Sequence, residues 1–486
     1  MKKKQREQKY ENKRIIMASF GVNQFFGQWI TGPFGLFVFF FFKQEIGLNV
    51  YFAMTAMVIY SVWNAINDPL IGYLVEKIKM PWERKYGMKR FPWVIIGGIP
   101  WLFSYVLVYM VPLNWDPKVD PAYNWPVFAW YTLTACLFDF LFSLWNVNTM
   151  AMYPDKFKGL DERRVATGFG TIIGIIGIVT SAIIPPLFIR ESLPPTYRTA
   201  AWMGVGIGLI AFLLMLPGVF ENKKTRENIK SREKVFDETL GSFFSTASTA
   251  FKDRRFMVKV IFFFGYQLAV ALLSASAQFM VIFVIGGTTQ DISLFMGAML
   301  IGALGSVPIW VWVSKKVNNN KKMSIYAGWL MFFTFLPIFF SVGYFFYLIA
   351  LLLFGIGLGG QWFMDQPTMG DVLDDITIRT GKRKQAIYYG FQTFFIRFGE
   401  GLKVIIIGIV QILVGFPDGV ATLAELEAAV GASNLFLPLL GVRIHAALIP
   451  AILVLITTLI FWKWYDITPD LVAQNRVKLE EIGFIS

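Results

Sequence analysis

Long apolar runs separated by short polar segments set the pattern of this chain. The run from 330 to 354 is typical: an almost unbroken series of Leu, Phe, Ile and Tyr, without the alternation of a half-buried strand. Such runs exceed what a buried core helix needs and match the length required to cross a bilayer. Lipid offers the backbone no hydrogen bonds, so spans of this kind are helices. Twelve are predicted, at about 15–42, 49–76, 91–112, 125–153, 165–189, 199–220, 256–285, 290–313, 323–342, 344–369, 386–415 and 440–464. Between the last two, Thr422–Val430 reads as a short solvated helix carrying Glu425 and Glu427.

The polar segments alternate in charge. Lys2–Arg14, Lys77–Arg90, Lys156–Arg164, Lys223–Lys259, Lys315–Lys322 and Arg379–Lys384 are basic. Lys43–Asn49, Asn114–Trp125, Gly286–Asp291 and Phe416–Ser433 are short, neutral or acidic. The positive-inside rule puts the basic set, and with it both termini, in the cytoplasm, and an even number of spans agrees. The basic stretch 221–255 divides the chain. Expected are a cytoplasmic tail over 1–14, a six-helix bundle over 15–220, a linker over 221–255, a second bundle over 256–465 and a cytoplasmic tail over 466–486. The openings of spans five and eleven are alike: Arg163-Arg164-Val165-Ala166-Thr167-Gly168-Phe169 and Arg383-Lys384-Gln385-Ala386-Ile387-Tyr388-Tyr389-Gly390-Phe391. Related halves are the plan of many secondary transporters.

Composition narrows the function. Of 486 residues 56% are hydrophobic and 16% charged, too little charge to solvate a soluble protein of this length. The net charge of +13 is spent on the basic loops, so it does not point to nucleic acid. There is one cysteine, Cys136, and one histidine, His445, which rules out an internal disulfide and argues against histidine hydrolysis. No P-loop, metal-ligand cluster or Ser–His–Asp set is found, so neither an enzyme nor a cofactor is expected.

Ionisable groups within spans are costly and are read first as functional. Asp68 lies in Trp63-Asn64-Ala65-Ile66-Asn67-Asp68-Pro69. Asn64 and Asp68 are one helical turn apart, with Asn67 beside them, and Pro69 frees a carbonyl one turn earlier. These oxygens suit a hard cation, or a lone carboxylate suits a proton; the plainer reading is a loop anchor. Asp139 sits among aromatics in Phe138-Asp139-Phe140, the composition of a sugar-type site, or else of a packing pair. Arg397, Glu400 and Lys403 form a row that can neutralise itself, with Arg397 the member expected to pair with Asp68 or Asp139. Asp365 reads as a gate or a loop anchor.

The run Trp63 to Gly72, followed by Trp82 to Trp93, then Gly370-Asp371-Val372-Leu373-Asp374, Arg379 to Arg383 and Gln392-Thr393-Phe394-Phe395-Ile396-Arg397, resembles the glycoside–pentoside–hexuronide:cation symporters, the melibiose permease-like family of the major facilitator superfamily. The resemblance implies an all-α major facilitator fold with twelve transmembrane helices in two six-helix halves. It implies a cation site at Asp68 and Asn67, with Asn64 beside them, and solute contacts at Asp139, Trp362, Gln392 and Thr393, with Gln28 and Ser143 at two further solute positions; Arg397, Glu400, Asp365 and Asp371 are the candidates for pairing or gating. Asn64 stands where sodium-coupled members have an aspartate, Cys136 where they have threonine, Gln28 where a sugar-binding aspartate is expected, Ser143 in place of a tryptophan and Thr171 in place of an arginine. Loss of an anionic ligand and a hydroxyl weakens a sodium site more than a proton site. The expectation is therefore a monomeric plasma-membrane symporter, coupled to H+ in preference to Na+. It moves a sugar or glycoside by alternating access and is surrounded by membrane lipid. The alternatives are lysolipid transport on the same fold and a non-transporting scaffold or receptor.

Overall fold

Apolar helices that cannot bury their backbone in water-free lipid any other way account for the described structure. The computed structural model describes residues 12–77, 80–157, 160–233, 251–381 and 385–481, and no strand occurs among them. The long helices are α1 Arg14–Phe40, α2 Val50–Lys77, α3 Phe91–Tyr109, α4 Asn124–Lys156, α5 Leu160–Ile183, α6 Pro194–Val219, α7 Arg254–Phe279, α8 Ile292–Val317, α9 Asn320–Phe339, α10 Tyr344–Thr380, α11 Gln385–Leu413 and α12 Ile449–Trp464. Among the described residues, eleven segments are long and apolar enough to span a membrane. Of the twelve expected, α11 stands apart, because Arg397, Glu400 and Lys403 interrupt its apolar course. The short helix Leu423–Val430 is present, opened by Thr422, whose hydroxyl accepts from the Glu425 N–H at 3.2 Å.

Two boundaries differ from expectation for reasons of charge. α10 runs eleven residues past its expected end at 369. Its added turns carry Asp371 and Asp375, which Asn320, Arg255 and Arg379 bind at 2.6 to 2.8 Å. α7 starts at Arg254, two residues ahead of the expected 256, where the Asp253 side chain accepts the Phe256 N–H, and Lys259 lies inside the helix. The linker expected at 221–255 includes a helix, Lys223–Glu233, and its residues 234–250 lie outside the described structure, as do 1–11, 382–384 and 482–486.

The chain forms two compact units, Met1–Asp237 with Asp418–Ala421, and Glu238–Pro417 with Thr422–Ser486. In the first, α1 packs on α5 and α6, α4 on α2 and α3, and α3 on α6. In the second, α7 packs on α11 and α12, α10 on α8 and α9, and α9 on α12. Adding six to each helix number of the first set gives the second. The repeat that the loop sequences only hint at is therefore plain in the pairing order. The first helix of each unit also ends in a π-helical turn, Phe41–Glu45 and Met280–Ile285, a local distortion that favours functional segments. In the first unit that turn buries Lys43, whose ammonium lies 3.0 Å from Asp418.

Small residues set the helix separations, as they do where lipid supplies no hydrophobic drive for association. On α8 and α10, Gly302 faces the Leu352 carbonyl and Gly355 faces the Met299 carbonyl, with no room for a Cβ at either. Gly355→Ala would also bring a methyl to 2.8 Å from the Ala303 nitrogen. Because the neighbour is backbone, it cannot swing away. We expect this variant to lose about 1–3 kcal/mol of stability, seen as a lower melting temperature in detergent. Gly206→Ala, which meets nothing within 4 Å, is the control and should melt like the parent.

Candidate functional site

In the first unit, the polar face of α2 meets the buried side of α4. A helix repeat of 3.6 residues brings Asn64 and Asn67 to one side of α2, and both are buried. Opposite them Asp139 is 1% exposed. Asn64 Nδ2 donates to Asp139 Oδ1 at 2.6 Å, and Asn67 Nδ2 donates to Asp139 Oδ2 at 3.1 Å and to the Asp139 carbonyl at 3.2 Å. Two of these amide contacts meet the carboxylate in a dry setting, and the third holds the backbone carbonyl of the same residue. Asp68, half-buried, follows Asn64 by one turn. The Oδ1 atoms of Asn64 and Asn67 are buried and accept no hydrogen bond among the described residues.

Asp139, expected to meet a sugar, thus stands with the residues expected to hold the cation. The oxygen inventory changes accordingly: the Asp139 carboxylate and two carboxamides in contact, with the Asp68 carboxylate one turn along α2 from Asn64. That is a hard, anionic ligand set of the kind that suits an alkali or alkaline-earth ion. A half-turn of either amide exchanges its NH2 for its oxygen at little structural cost, so the same side chains serve the carboxylate when alone and a cation when present. Cys136 is half-buried, and its carbonyl accepts the Trp63 indole N–H at 3.1 Å.

A second feature of this unit is a cavity of about 320 Å³ between α1, α4 and α5. Asn23, Gln24, Gln28 and Thr171 give it amide and hydroxyl groups, while Phe20 and Ile178 give it apolar wall. Among the described residues no Asp, Glu, Lys or Arg lines it. Gln28 and Thr171 were singled out from the sequence; Asn23 and Gln24 were not, although polar groups inside the apolar run of α1 were the signal. Ser143, expected to touch solute, is fully buried away from this cavity's lining.

In the second unit, the charged residues gather on α7, α10 and α11. Lys259 Nζ is 2.5 Å from Asp365 Oδ1, and Gln392 Nε2 donates to both oxygens of Asp365 at 3.2 Å. Lys259 is almost wholly buried. Lys259 falls inside the seventh expected span but is not singled out by the sequence, because it also closes a basic stretch; its apolar flanks Phe256-Met257-Val258 and Val260-Ile261 are the signal that marks it as a helix-interior charge. Asp365, read as a gate or loop anchor, is therefore half of a buried ion pair. Glu400 and Lys403 pair with each other at 2.5 Å, as the helix spacing predicts. Arg397 and Trp362 are half-buried on their helices, and Asp371 accepts from Asn320 at 2.8 Å. The side chain of Thr393 lies outside those described. His445 is buried with its Nδ1 2.7 Å from the Ser276 hydroxyl. Among the described residues no group of three or more His, Cys, Asp or Glu is placed to hold a metal.

Known proteins place these features in context. A sodium-dependent lysophosphatidylcholine symporter of Danio rerio is 23% identical over 464 residues, covering 85% of this chain and 82% of its own. A sphingosine-1-phosphate transporter of Xenopus tropicalis is 23% identical over 486 residues, covering 91% of this chain and 87% of its own. Among solved structures, the nucleoside transporter NupG superposes with a TM-score of 0.62 at 13% identity, covering 92% of this chain and 99% of that one, a likeness of fold alone. The family described as MFS/sugar transport protein matches residues 19–469. The chain, a multi-pass membrane protein of the major facilitator fold, belongs to that family of secondary transporters.

Proposed function

We propose that this protein is a sodium-coupled symporter of a lysolipid-like amphiphile. This replaces the sugar or glycoside as the favoured solute, and Na+ replaces H+ as the favoured ion. The observation that carries the reading is the engagement of Asp139. A sugar site needs charged or strongly accepting groups converging on hydroxyls, and the carboxylate expected to supply them is buried under two amides. What remains in the first unit is a cavity whose lining, among the described residues, has no Asp, Glu, Lys or Arg; it is part amide and hydroxyl, part hydrocarbon, and suits a molecule with a polar and an apolar end.

The ion follows from the same contact. The argument for H+ rests on lost sodium ligands, Asn64 for aspartate and Cys136 for threonine. Asp139 restores the second carboxylate beside Asn64 and Asn67. A sodium ion bound there would be drawn from the four side chains Asn64, Asn67, Asp68 and Asp139, and would relieve the confinement of the carboxylate charge. The sodium-dependent relatives support this choice. The basic loops support cytoplasmic termini, the proposed membrane is the plasma membrane, and transport would run by alternating access of the two units.

The test is uptake into proteoliposomes of a radiolabelled lysophosphatidylcholine and, separately, of a galactoside. Each is driven by an inward Na+ gradient or by an inward pH gradient. The expected result is Na+-driven accumulation of the lysolipid of at least about ten-fold over the no-gradient control, and none of the galactoside. Galactoside uptake driven by pH alone would overturn both the solute and the ion.

A further inference from the structure

One end of the second unit carries a charged cavity that the transport reading does not use. It has a volume of about 450 Å³ and is lined by Lys252, Asp253, Arg254, Arg255, Arg379 and Asp466. Its acids are committed. Asp466 takes Arg255 at 2.8 Å, and Asp253 takes Arg379 at 2.6 Å. The buried Asp375 is shared by both arginines, 2.6 Å from Arg255 and 2.8 Å from Arg379. Burial works to raise the Asp466 carboxyl, yet the hydrogen bond and charge of Arg255 hold it below its ordinary range, so it is ionised and occupied. Among the described residues the four cations of the lining exceed the three acids of this network, and Lys252 and Arg254 are exposed beside it.

The position of the cavity says what the surplus meets. α12 ends in Trp462-Lys463-Trp464, with Trp462 and Trp464 both well exposed and Lys463 Nζ 5.5 Å from the Trp464 ring centre. Exposed tryptophan and lysine at a span terminus mark the level of lipid head groups. Asp466 follows two residues later, so the cavity mouth lies at that level. Beside it the exposed Phe251 packs on Phe391 and Phe395, at 5.3 and 6.4 Å between ring centres, an apolar ledge next to the charges.

We propose that this cavity binds the head group of an anionic phospholipid from the adjoining leaflet, with phosphate against Lys252 and Arg254 and an acyl chain along Phe251. A basic cluster at the end of a span is a head-group site, each cation adding to the attraction for anionic lipid. The Arg255–Asp375–Arg379 network serves as its rigid floor and ties the ends of α7 and α10 together. Lipid occupancy would therefore stiffen those two ends.

The experiment uses the full chain in detergent, with thermal melting read while short-chain dioctanoyl phosphatidylglycerol, dioctanoyl phosphatidylcholine or inorganic phosphate is added. Phosphatidylglycerol is expected to raise the melting temperature at concentrations at least about ten-fold below those at which phosphatidylcholine acts. Lys252→Gln with Arg254→Gln should abolish that preference, while Lys252→Arg with Arg254→Lys should keep it. Both side chains are exposed, so the untreated variants should melt like the parent, and the salt-bridge floor is untouched. Equal action of the two lipids, or an undiminished preference in the glutamine variant, would overturn the proposal. So would inorganic phosphate reproducing the shift at the same concentration, since the site would then be for free anion. Transport of any solute is not needed for this readout.

Discussion

Asp139→Asn should remove sodium from the first unit while leaving the helix packing in place. The substitution keeps size and shape but replaces an anion by a neutral amide that offers one acceptor instead of two. Asn64 and Asn67 then face an amide in place of a carboxylate, at contacts now 2.6 and 3.1 Å long. What the variant loses toward a cation is the attraction of one full anionic charge in contact, about 4 kcal/mol at the effective dielectric of a protein site. Loss of roughly 3 kcal/mol of this translates to an approximately hundred-fold weaker cation affinity. Sodium titration monitored by intrinsic tryptophan fluorescence reads it directly, for Trp63 sits on the same helix and hydrogen-bonds to Cys136 three residues before Asp139. Na+-driven uptake should fall to the no-gradient level, and counterflow of solute, which needs no net ion movement, should fall less. Asp68→Asn should weaken sodium as well. If Asp139→Asn binds sodium as the parent does and only solute binding suffers, then Asp139 is a solute residue after all and the ion reading fails.

Much of the architecture was legible because one physical constraint fixes it. The thickness of the bilayer sets the length of an apolar run, so helix number and approximate bounds follow from composition. The end of α10 was not legible, because its charges are neutralised by Arg255, more than a hundred residues away in sequence. The repeat was faint in loop residues but clear in helix pairing, since packing order is retained by shape and small residues rather than by motif. The site was legible as a set of residue types and not as a grouping. Asn64, Asn67 and Asp139 each stood out as polar groups in apolar spans. Whether Asp139 turns to α2 or to a cavity depends on the rotation and register of α4 against α2, which no local pattern encodes. Lys259 falls within the seventh expected span, but it also closes a basic stretch, and a charge at such an edge reads as solvated rather than as the partner of Asp365.

Lys259 carries the largest stability prediction. Its ammonium is buried in α7 with Asp365 as its counter-charge. Lys259→Met keeps the hydrocarbon stem and removes the charge, leaving the Asp365 carboxylate with Gln392 as its amide donor at 3.2 Å. Breaking a buried pair from one side costs about 3–5 kcal/mol, more than forming it ever gains, because desolvation of the remaining ion is no longer offset. The variant should show a clearly lower melting temperature in detergent and reduced recovery of folded protein. Asp365→Asn, which strands the lysine instead, should be destabilised by a similar mechanism. The double variant Lys259→Met with Asp365→Asn removes both charges, and replacing a whole buried pair by neutral groups is often neutral or stabilising. It should recover most of the loss, so the thermodynamic cycle gives a coupling energy of roughly the size of either single effect. A Lys259→Met protein as stable as the parent would mean that Asp365 is solvated or protonated and that no buried pair exists. The recovered double variant then separates stability from function: since an ion pair is an expensive way to hold three helices together, its retention predicts a use, and that variant should fold normally but transport more slowly than the parent in the same proteoliposome uptake.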